Sequence, residues 1–146
     1  MATIMRKMST VSRCINIYRS KKSPEDLPGI YHGYVFAIYN NPGMPQEWLA
    51  KHMFFNKSTV ARHLAQLEKA GYVKRETSPR DKRELLVYPT EKMKDIYPKI
   101  REITLSWNTM ISEEISSEEM EAFNTTLDKI LEKSICISEE AEEDGK

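Results

Sequence analysis

Apolar residues recur every three or four positions along much of the chain, a spacing typical of amphipathic helices. One such stretch runs from about Met5 to Tyr18, and a second runs from about Ile30 to Tyr39. A serine-proline pair and a proline-glycine pair lie between them and interrupt the pattern. The N-terminal part of the chain is therefore predicted to hold two helices.

The middle of the chain is predicted to form two further helices and then two strands. A short helix over Gln46–His52 precedes a longer helix over Asn56–Ala70, for which Asn56 is a suitable N-cap. Gly71 suits the left-handed position that follows a helix. Alternating segments over Tyr72–Thr77 and Glu84–Tyr88 flank a polar loop, which predicts a β-hairpin.

The C-terminal part is predicted to be helical up to an acidic tail. Apolar residues keep helical spacing from Met93 to Ile111, and Pro98 inside this stretch predicts a kink or a boundary. Ser116 and Glu119 have the spacing of a capping box, which predicts the start of a last helix. Residues 138–146 are rich in acids and are expected to be disordered.

The charges of the 146-residue chain sum to zero but are unevenly distributed. The stretch from Lys51 to Arg83 has nine basic and three acidic residues. The stretch from Ser112 to Lys146 has twelve acidic and three basic residues. The middle can therefore attract phosphates although the whole chain is neutral. No apolar run approaches the ~18 residues that span a bilayer, which favours a cytoplasmic protein without a membrane partner.

The helix over 56–70 has two different faces. Its inner face is apolar, and its outer face carries hydroxyl, amide and basic groups but no carboxylate, which suits the major groove of duplex DNA. The alternative is an ordinary amphipathic surface helix. The inner residues are Val60, Leu64 and Leu67, and the outer ones are Ser58, Arg62, Ala65, Gln66 and Lys69, with Thr59 beside them.

The hairpin that follows has a basic tip, with Arg80, Lys82 and Arg83 around a single acid, Asp81. A basic hairpin after a helix-turn-helix is placed to touch the DNA backbone or minor groove. Asp81 is predicted to accept from backbone N–H groups of the turn or to pair with Arg83. The alternative is a solvated charged loop.

The order of elements predicts a mainly α (α+β) fold, a winged helix-turn-helix with a two-stranded β-wing. Residues 31–89 are expected to form the DNA-binding lobe. The N- and C-terminal helices, over 1–30 and 90–137, carry more apolar surface than one small domain needs, so they are expected to form a homodimerisation region.

Two segments resemble the MarR family of bacterial transcription regulators. Residues 56–73, NKSTVARHLAQLEKAGYV, resemble its reading helix, and Asp81-x-Arg83 followed by Val87 and Thr90 resembles its wing signature. Pro89 stands where a second aliphatic residue is usual and is expected to end the strand early. The resemblance implies a homodimer that binds pseudo-palindromic double-stranded DNA, with an affinity tuned by a small ligand or by oxidation.

These observations predict a sequence-specific transcription regulator, expected to be a repressor. An alternative is a winged-helix protein-interaction module that does not bind DNA. The expected DNA-binding residues lie on the helix and at the wing; they are Asn56, Lys57, Ser58, Thr59, Arg62, His63, Gln66, Lys69, Arg80, Asp81, Lys82 and Arg83. For His63 a position at the side of the helix is left open.

A sensor function is a further hypothesis. Five aromatic residues are candidates for a pocket that takes a small aromatic or phenolic effector, with core packing as the alternative; they are Tyr18, Tyr31, Tyr34, Tyr39 and Trp107. Cys14, with tyrosines near it in sequence, resembles the hydroperoxide-sensing branch of the family, which suggests redox sensing. The interval Arg19–Ile30 is shorter than is usual in the family and weakens this alignment.

Enzymatic and metal chemistry find little support in the sequence. It has no Gly-rich phosphate loop, HExxH motif or Ser/His/Asp spacing, so no enzyme and no cofactor are predicted. Two distant cysteines, Cys14 and Cys136, and three histidines do not have zinc-site spacing. The two thiols are expected to be buried and reduced.

Overall fold

A computed structural model describes residues 3–145, which form helices and a small antiparallel sheet. Two compact units are defined, Met1–Trp107 and Asn108–Lys146, and the sheet belongs to the first. The elements are α1 (Ile4–Lys22), a 3₁₀ turn (Gly29–Tyr31), α2 (His32–Asn40), β1 (Met44–Pro45), α3 (Gln46–Met53), α4 (Lys57–Lys69), β2 (Val73–Thr77), β3 (Leu85–Pro89), α5 (Glu91–Ile111) and α6 (Ser117–Asp144).

The helix ends follow the predicted capping residues. The Asn56 side chain accepts from the backbone N–H of Thr59 at 2.8 Å and so begins α4. Gly71, with φ of +85°, follows the end of α4 as expected. At α6 the capping box is complete, because Ser116 accepts from the N–H of Glu119 and the Glu119 side chain accepts from the N–H of Ser116.

The hydrophobic core lies within the first unit. Helix α4 contributes Val60, Leu64 and Leu67, which are all fully buried. They pack with buried residues of α2, α3, the strands and α5, among them Val35, Ile38, Leu49, Val87, Met93 and Ile100. The core thus fixes which face of α4 is turned outward.

The sheet has three strands in the order β1-β3-β2, one more than the hairpin predicted from the sequence. Strand β1 pairs Met44 with Val87, next to the pairing of Arg75 with Val87 on the other side of β3. Two residues are too few to show alternation, which explains why the sequence pattern missed β1. Gly43, with φ of +81°, leads into it and lies under the Tyr88 ring, where a Cβ would be 3.0 Å from Cε1.

Three predicted ends of elements, at Pro89, at Pro98 and at residue 138, are wrong. Pro89 does not shorten β3 but pairs with Val73 as its last residue. Helix α5 continues through Pro98, since buried Met93, Ile100 and Ile103 hold it on both sides of the proline. The tail predicted to be disordered from 138 is helical through Asp144, consistent with the high helix propensity of its Glu and Ala residues.

A buried polar contact joins α1 to α2. His32 is completely buried, and its Nε2 atom lies 2.6 Å from the Ser23 hydroxyl. Burial, followed by the charge of the neighbouring Arg19, lowers the pKa of His32 to about 4. The folded protein therefore holds His32 neutral at pH 7.

We expect this histidine to make stability fall with acidity. An unfolded histidine has a pKa near 6.5, so the unfolded state binds more protons as the pH falls from about 6.5 toward 4. The stabilisation is complete above pH 6.5, and about 2 kcal/mol should be lost between pH 7 and pH 5. Urea unfolding of wild type and His32→Gln at both pH values measures this difference. Equal losses in the two proteins would contradict it.

Candidate nucleic-acid interface

The outer face of α4 is exposed in the arrangement that the sequence pattern predicts. Ser58, Arg62, Ala65, Gln66 and Lys69 are exposed, whereas the apolar residues on the opposite face are buried. The Arg62 guanidinium lies 3.4 Å from the Thr59 hydroxyl. Helix α4 therefore presents a polar and basic surface without a carboxylate among these residues.

The start of α4 is already hydrogen bonded in the free chain. The Asn56 Oδ1 atom accepts from the Ser58 hydroxyl at 2.9 Å as well as from the Thr59 N–H. The Lys57 ammonium lies 2.8 Å from a carboxylate oxygen of Glu47, which belongs to α3. Asn56 thus orients the helix start, and Lys57 meets an acidic neighbour that the sequence pattern did not indicate.

His63 lies at the side of α4, which decides the alternative left open by the sequence. Its Nδ1 atom lies 2.8 Å from the hydroxyl of Tyr34, a buried residue of α2. Its ring also contacts those of Tyr31 and Phe55 edge-on, at centroid distances of 5.2 and 5.6 Å. Burial, followed by the charge of Arg62, lowers the pKa of His63. This contact fixes the side of α4 against α2.

A second contact holds α4 against the sheet and α3. The Arg75 Nη2 atom lies 3.1 Å from Glu68 Oε1, and Nη1 donates to Gln46 Oε1 at 3.2 Å. This hydrogen bonding keeps the pKa of Glu68 below its ordinary value. Arg75 counts as a basic residue in the sequence, but its charge is neutralised by the helix it supports.

The C-terminal end of α4 has a third contact. The Lys92 ammonium donates to the Ala70 carbonyl at 2.6 Å and to Asp26 at 2.7 Å. The Tyr72 hydroxyl donates to the same carboxylate at 2.7 Å, and burial followed by this bond raises the pKa of Tyr72. These residues lie far apart in sequence, so no local pattern indicated them.

The wing loop has the internal bonding predicted for Asp81. Its Oδ1 atom accepts from the Arg83 backbone N–H at 2.9 Å and lies 3.8 Å from Arg83 Nε. The loop is closed where the Ser78 N–H donates to the Glu84 carbonyl at 2.8 Å. The Arg83 side chain is nevertheless 95% exposed. The loop is therefore shaped by its own bonds while its arginine extends into solvent.

One groove joins the start of α4 to the wing. It has a volume of about 500 Å³ and is lined by Gln46, Glu47, Lys57, Asp81, Arg83, Glu84 and Leu85. Lys57 and Arg83 therefore border the same surface, although they lie on different elements. The start of α4 and the wing loop therefore open onto one groove.

The five aromatic candidates do not line one pocket. Tyr18 contacts Trp107 at 5.4 Å, Tyr39 stacks on Tyr97 at 3.6 Å, and Tyr34 and Tyr31 contact His63. Tyr34 is fully buried, and burial raises its pKa to about 12. These five side chains are divided among separate contacts, since Tyr39 lies five residues after Tyr34 and so on another side of α2. The effector pocket itself stays a prediction.

The cysteines also differ from expectation. Both Cys14 and Cys136 are exposed on the chain rather than buried. The Arg13 guanidinium donates to the Thr10 hydroxyl at 3.3 Å, and the Tyr34 hydroxyl is bonded to His63. Redox sensing through Cys14 therefore stays a prediction.

The part of the chain that the structure describes lacks two features, a metal-type cluster and a membrane-spanning helix. Within residues 3–145, no three His, Cys, Asp or Glu side chains are grouped as a metal site would need. No helix in the same range combines the length and the apolar character needed to cross a membrane.

A helix-turn-helix followed by an antiparallel hairpin with an exposed basic loop defines a winged helix-turn-helix protein. A family model described as MarR family matches residues 25–84. Together with the relatives described next, this match shows that the chain belongs to the MarR family of transcription regulators. Membership confirms the resemblance, the fold class and the expectation of a non-enzymatic protein.

Three relatives illustrate the similarity. The chain is 28% identical to the HTH-type transcriptional regulator YybA of Bacillus subtilis, over 89% of this chain and 87% of that one. It is 31% identical to transcriptional regulator HosA of Escherichia coli O111:H-, over 73% and 78% of the two chains. A MarR family regulator from Listeria monocytogenes, solved with 26mer DNA, is 25% identical, with a TM-score of 0.82 and coverage of 91% and 89%.

We expect Tyr34→Phe to destabilise the protein by about 1 kcal/mol, because the partly buried His63 Nδ1 atom loses its hydrogen-bond partner. Tyr31→Phe is the matched control, since Tyr31 contacts the same imidazole through its ring. Urea unfolding of both variants at pH 7 measures the difference. Equal effects would show that ring packing, and not the hydroxyl, holds His63.

Proposed function

We propose that this chain is a sequence-specific regulator that binds double-stranded DNA as a homodimer on a pseudo-palindromic operator. The observation that carries this proposal is the groove bordered by both Lys57 and Arg83. A duplex that receives α4 in its major groove would have its phosphates within reach of the wing on the same side. Residues 31–89 form the reading lobe in this proposal.

The side chains divide by what they can recognise. Exposed donors and acceptors on α4 suit base edges, and exposed cations suit phosphates. We assign base-edge contacts to Ser58, Thr59, Arg62 and Gln66, and phosphate contacts to Lys57, Lys69, Arg80, Lys82 and Arg83. Asn56 and Asp81 act through the local bonds that shape the helix start and the loop. His63 positions α4.

The similarity to a structure solved with DNA supports duplex DNA as the ligand. The Listeria protein was solved with 26mer DNA, and its fold extends over nearly all of this chain. Two lobes of a homodimer would read half-sites about one helical turn apart. Repression follows if occupation of such an operator excludes other proteins from the same duplex.

Exposed apolar residues support the homodimer. Neither α1 nor α6 has a fully buried residue within the single chain. Large apolar side chains are exposed on both, namely Ile4, Met5, Val11 and Ile17 on α1 and Phe123, Leu131 and Ile137 on α6. Apolar surface of this kind marks a protein interface. We assign dimerisation to residues 1–30 and 90–137.

Regulation by a small aromatic or phenolic effector remains part of the proposal through the family resemblance. It would not use the five predicted aromatics as one pocket, because they lie in separate places. DNA binding itself does not depend on this component.

We expect Arg83→Ala to weaken DNA binding without unfolding the protein, because the side chain is exposed and its loss removes a phosphate contact. The slope of log affinity against log salt should become shallower by about one. Fluorescence anisotropy with an operator selected from a random DNA library measures both quantities. Lys94→Ala, which removes an exposed cation of α5, is the control. Unchanged affinity and slope in Arg83→Ala would contradict the proposed geometry.

We expect Phe123→Glu to shift the protein from dimer to monomer, since it places a charge on an exposed apolar face. Sedimentation equilibrium measures the shift, and circular dichroism reports whether the helices remain. Glu121→Gln, on the same helix, should leave the dimer intact. A Phe123→Glu protein that stays dimeric would exclude this face from the interface.

A further inference from the structure

The groove between α4 and the wing contains an acidic residue whose place there is unexpected for a surface that binds DNA. Glu47 lies in the first turn of α3, and its Oε1 atom is 2.8 Å from the Lys57 ammonium. The Lys57 and Glu47 side chains are 75% and 57% exposed. The ion pair is therefore open to solvent, and a third charged group can reach it.

Lys57 is the first residue of α4, where the positive end of the helix dipole favours an anion. A phosphate that approaches this helix end meets an ammonium group already paired with a carboxylate. The hydrogen bond from Lys57 lowers the pKa of Glu47, which keeps that carboxylate ionised at neutral pH. The phosphate must therefore displace Glu47 or share the ammonium with it.

We propose that Glu47 competes with DNA phosphates for the Lys57 ammonium and thereby limits the affinity for DNA that is independent of sequence. The inference rests on the proposed function. Phosphates are the same at every site, and their contacts supply most of the non-specific affinity. An acid that pairs with one phosphate-binding cation lowers the non-specific affinity for DNA. It leaves the proposed base-edge contacts of Arg62 and Gln66 in place.

Glu47 is a better test of this idea than Asp81, another acid of the groove. Asp81 also accepts from the Arg83 backbone N–H, so its replacement would disturb the wing loop. The described hydrogen bond and ion pair of the Glu47 side chain both involve Lys57. Glu47→Gln therefore removes the charge while keeping nearly the same shape.

Glu91→Gln is a closely matched control. Glu91 also lies in the first turn of its helix, and its carboxylate pairs with the exposed Lys94 ammonium at 3.0 Å. Both residues border a different groove, with Tyr39 and Tyr88. The two substitutions remove the same charge from the same kind of position.

The experiment measures the affinity of full-length dimers for a random-sequence duplex and for the selected operator, by anisotropy at several salt concentrations. Glu47→Gln should bind the random duplex roughly two- to fivefold more tightly, the range expected for one exposed ion pair. Its salt slope should become steeper by up to about one. The gain in affinity of Glu47→Gln for the operator should be no larger than its gain for the random duplex. Glu91→Gln should have the affinity of wild type for both duplexes.

A double-mutant cycle tests whether the effect passes through Lys57. In a Lys57→Gln background, Glu47→Gln should leave the affinity for the random duplex unchanged. The inference is overturned if Glu47→Gln binds the random duplex no more tightly than Glu91→Gln does. It is also overturned if Glu47→Gln raises this affinity by the same factor in the Lys57→Gln background. If wild type shows no salt-dependent binding to either duplex, the proposed function fails as well, which distinguishes the two outcomes.

Discussion

Burial of the inner face of α4 is the interaction on which the candidate interface depends. Val60, Leu64 and Leu67 are completely removed from solvent, and each contributes roughly 1.5–3 kcal/mol by burial. Exposed ion pairs around the helix are worth only about 0–1 kcal/mol each. Apolar packing therefore seats α4, and the polar contacts adjust a helix that is already bound to the core.

Three polar contacts then determine how α4 is turned and where it ends. His63 bonds to Tyr34 on α2, Glu68 bonds to Arg75 on β2, and the Ala70 carbonyl accepts from Lys92 on α5. Each lies on a different neighbouring element, so together they restrict rotation as well as sliding. A helix that reads bases needs this restriction, because a small displacement would bring different donors to the groove.

The sequence could predict the features that depend on neighbouring residues. The N-cap at Asn56, the capping box at Ser116 and the inner and outer faces of α4 follow from local spacing, and the structure contains all of them. Asp81 could be assigned to the wing loop for the same reason. These features need no knowledge of how distant segments meet.

The features that the sequence missed depend on tertiary contacts. Asp26 meets Lys92 across 66 positions, and strand β1 is too short to carry a pattern of its own. The aromatic residues of α2 were grouped by type, whereas the helix sends them to different neighbours. Charge counting overstated the basic surface, since Lys57 and Arg75 are paired with acids that face them from α3 and α4.

The buried residues also separate the lobe proposed to read DNA from the helices proposed to form the dimer. The core runs from Leu27 to Ile103 and closes around α4 within one chain. Helices α1 and α6 contribute no buried residue to it, although they expose large apolar side chains. If those side chains form the proposed dimer interface, a charge placed on them should remove the partner without loosening the lobe. The affinity of one lobe for a half-site would then be measurable by itself, and the gain from joining two lobes would follow from comparison with the dimer.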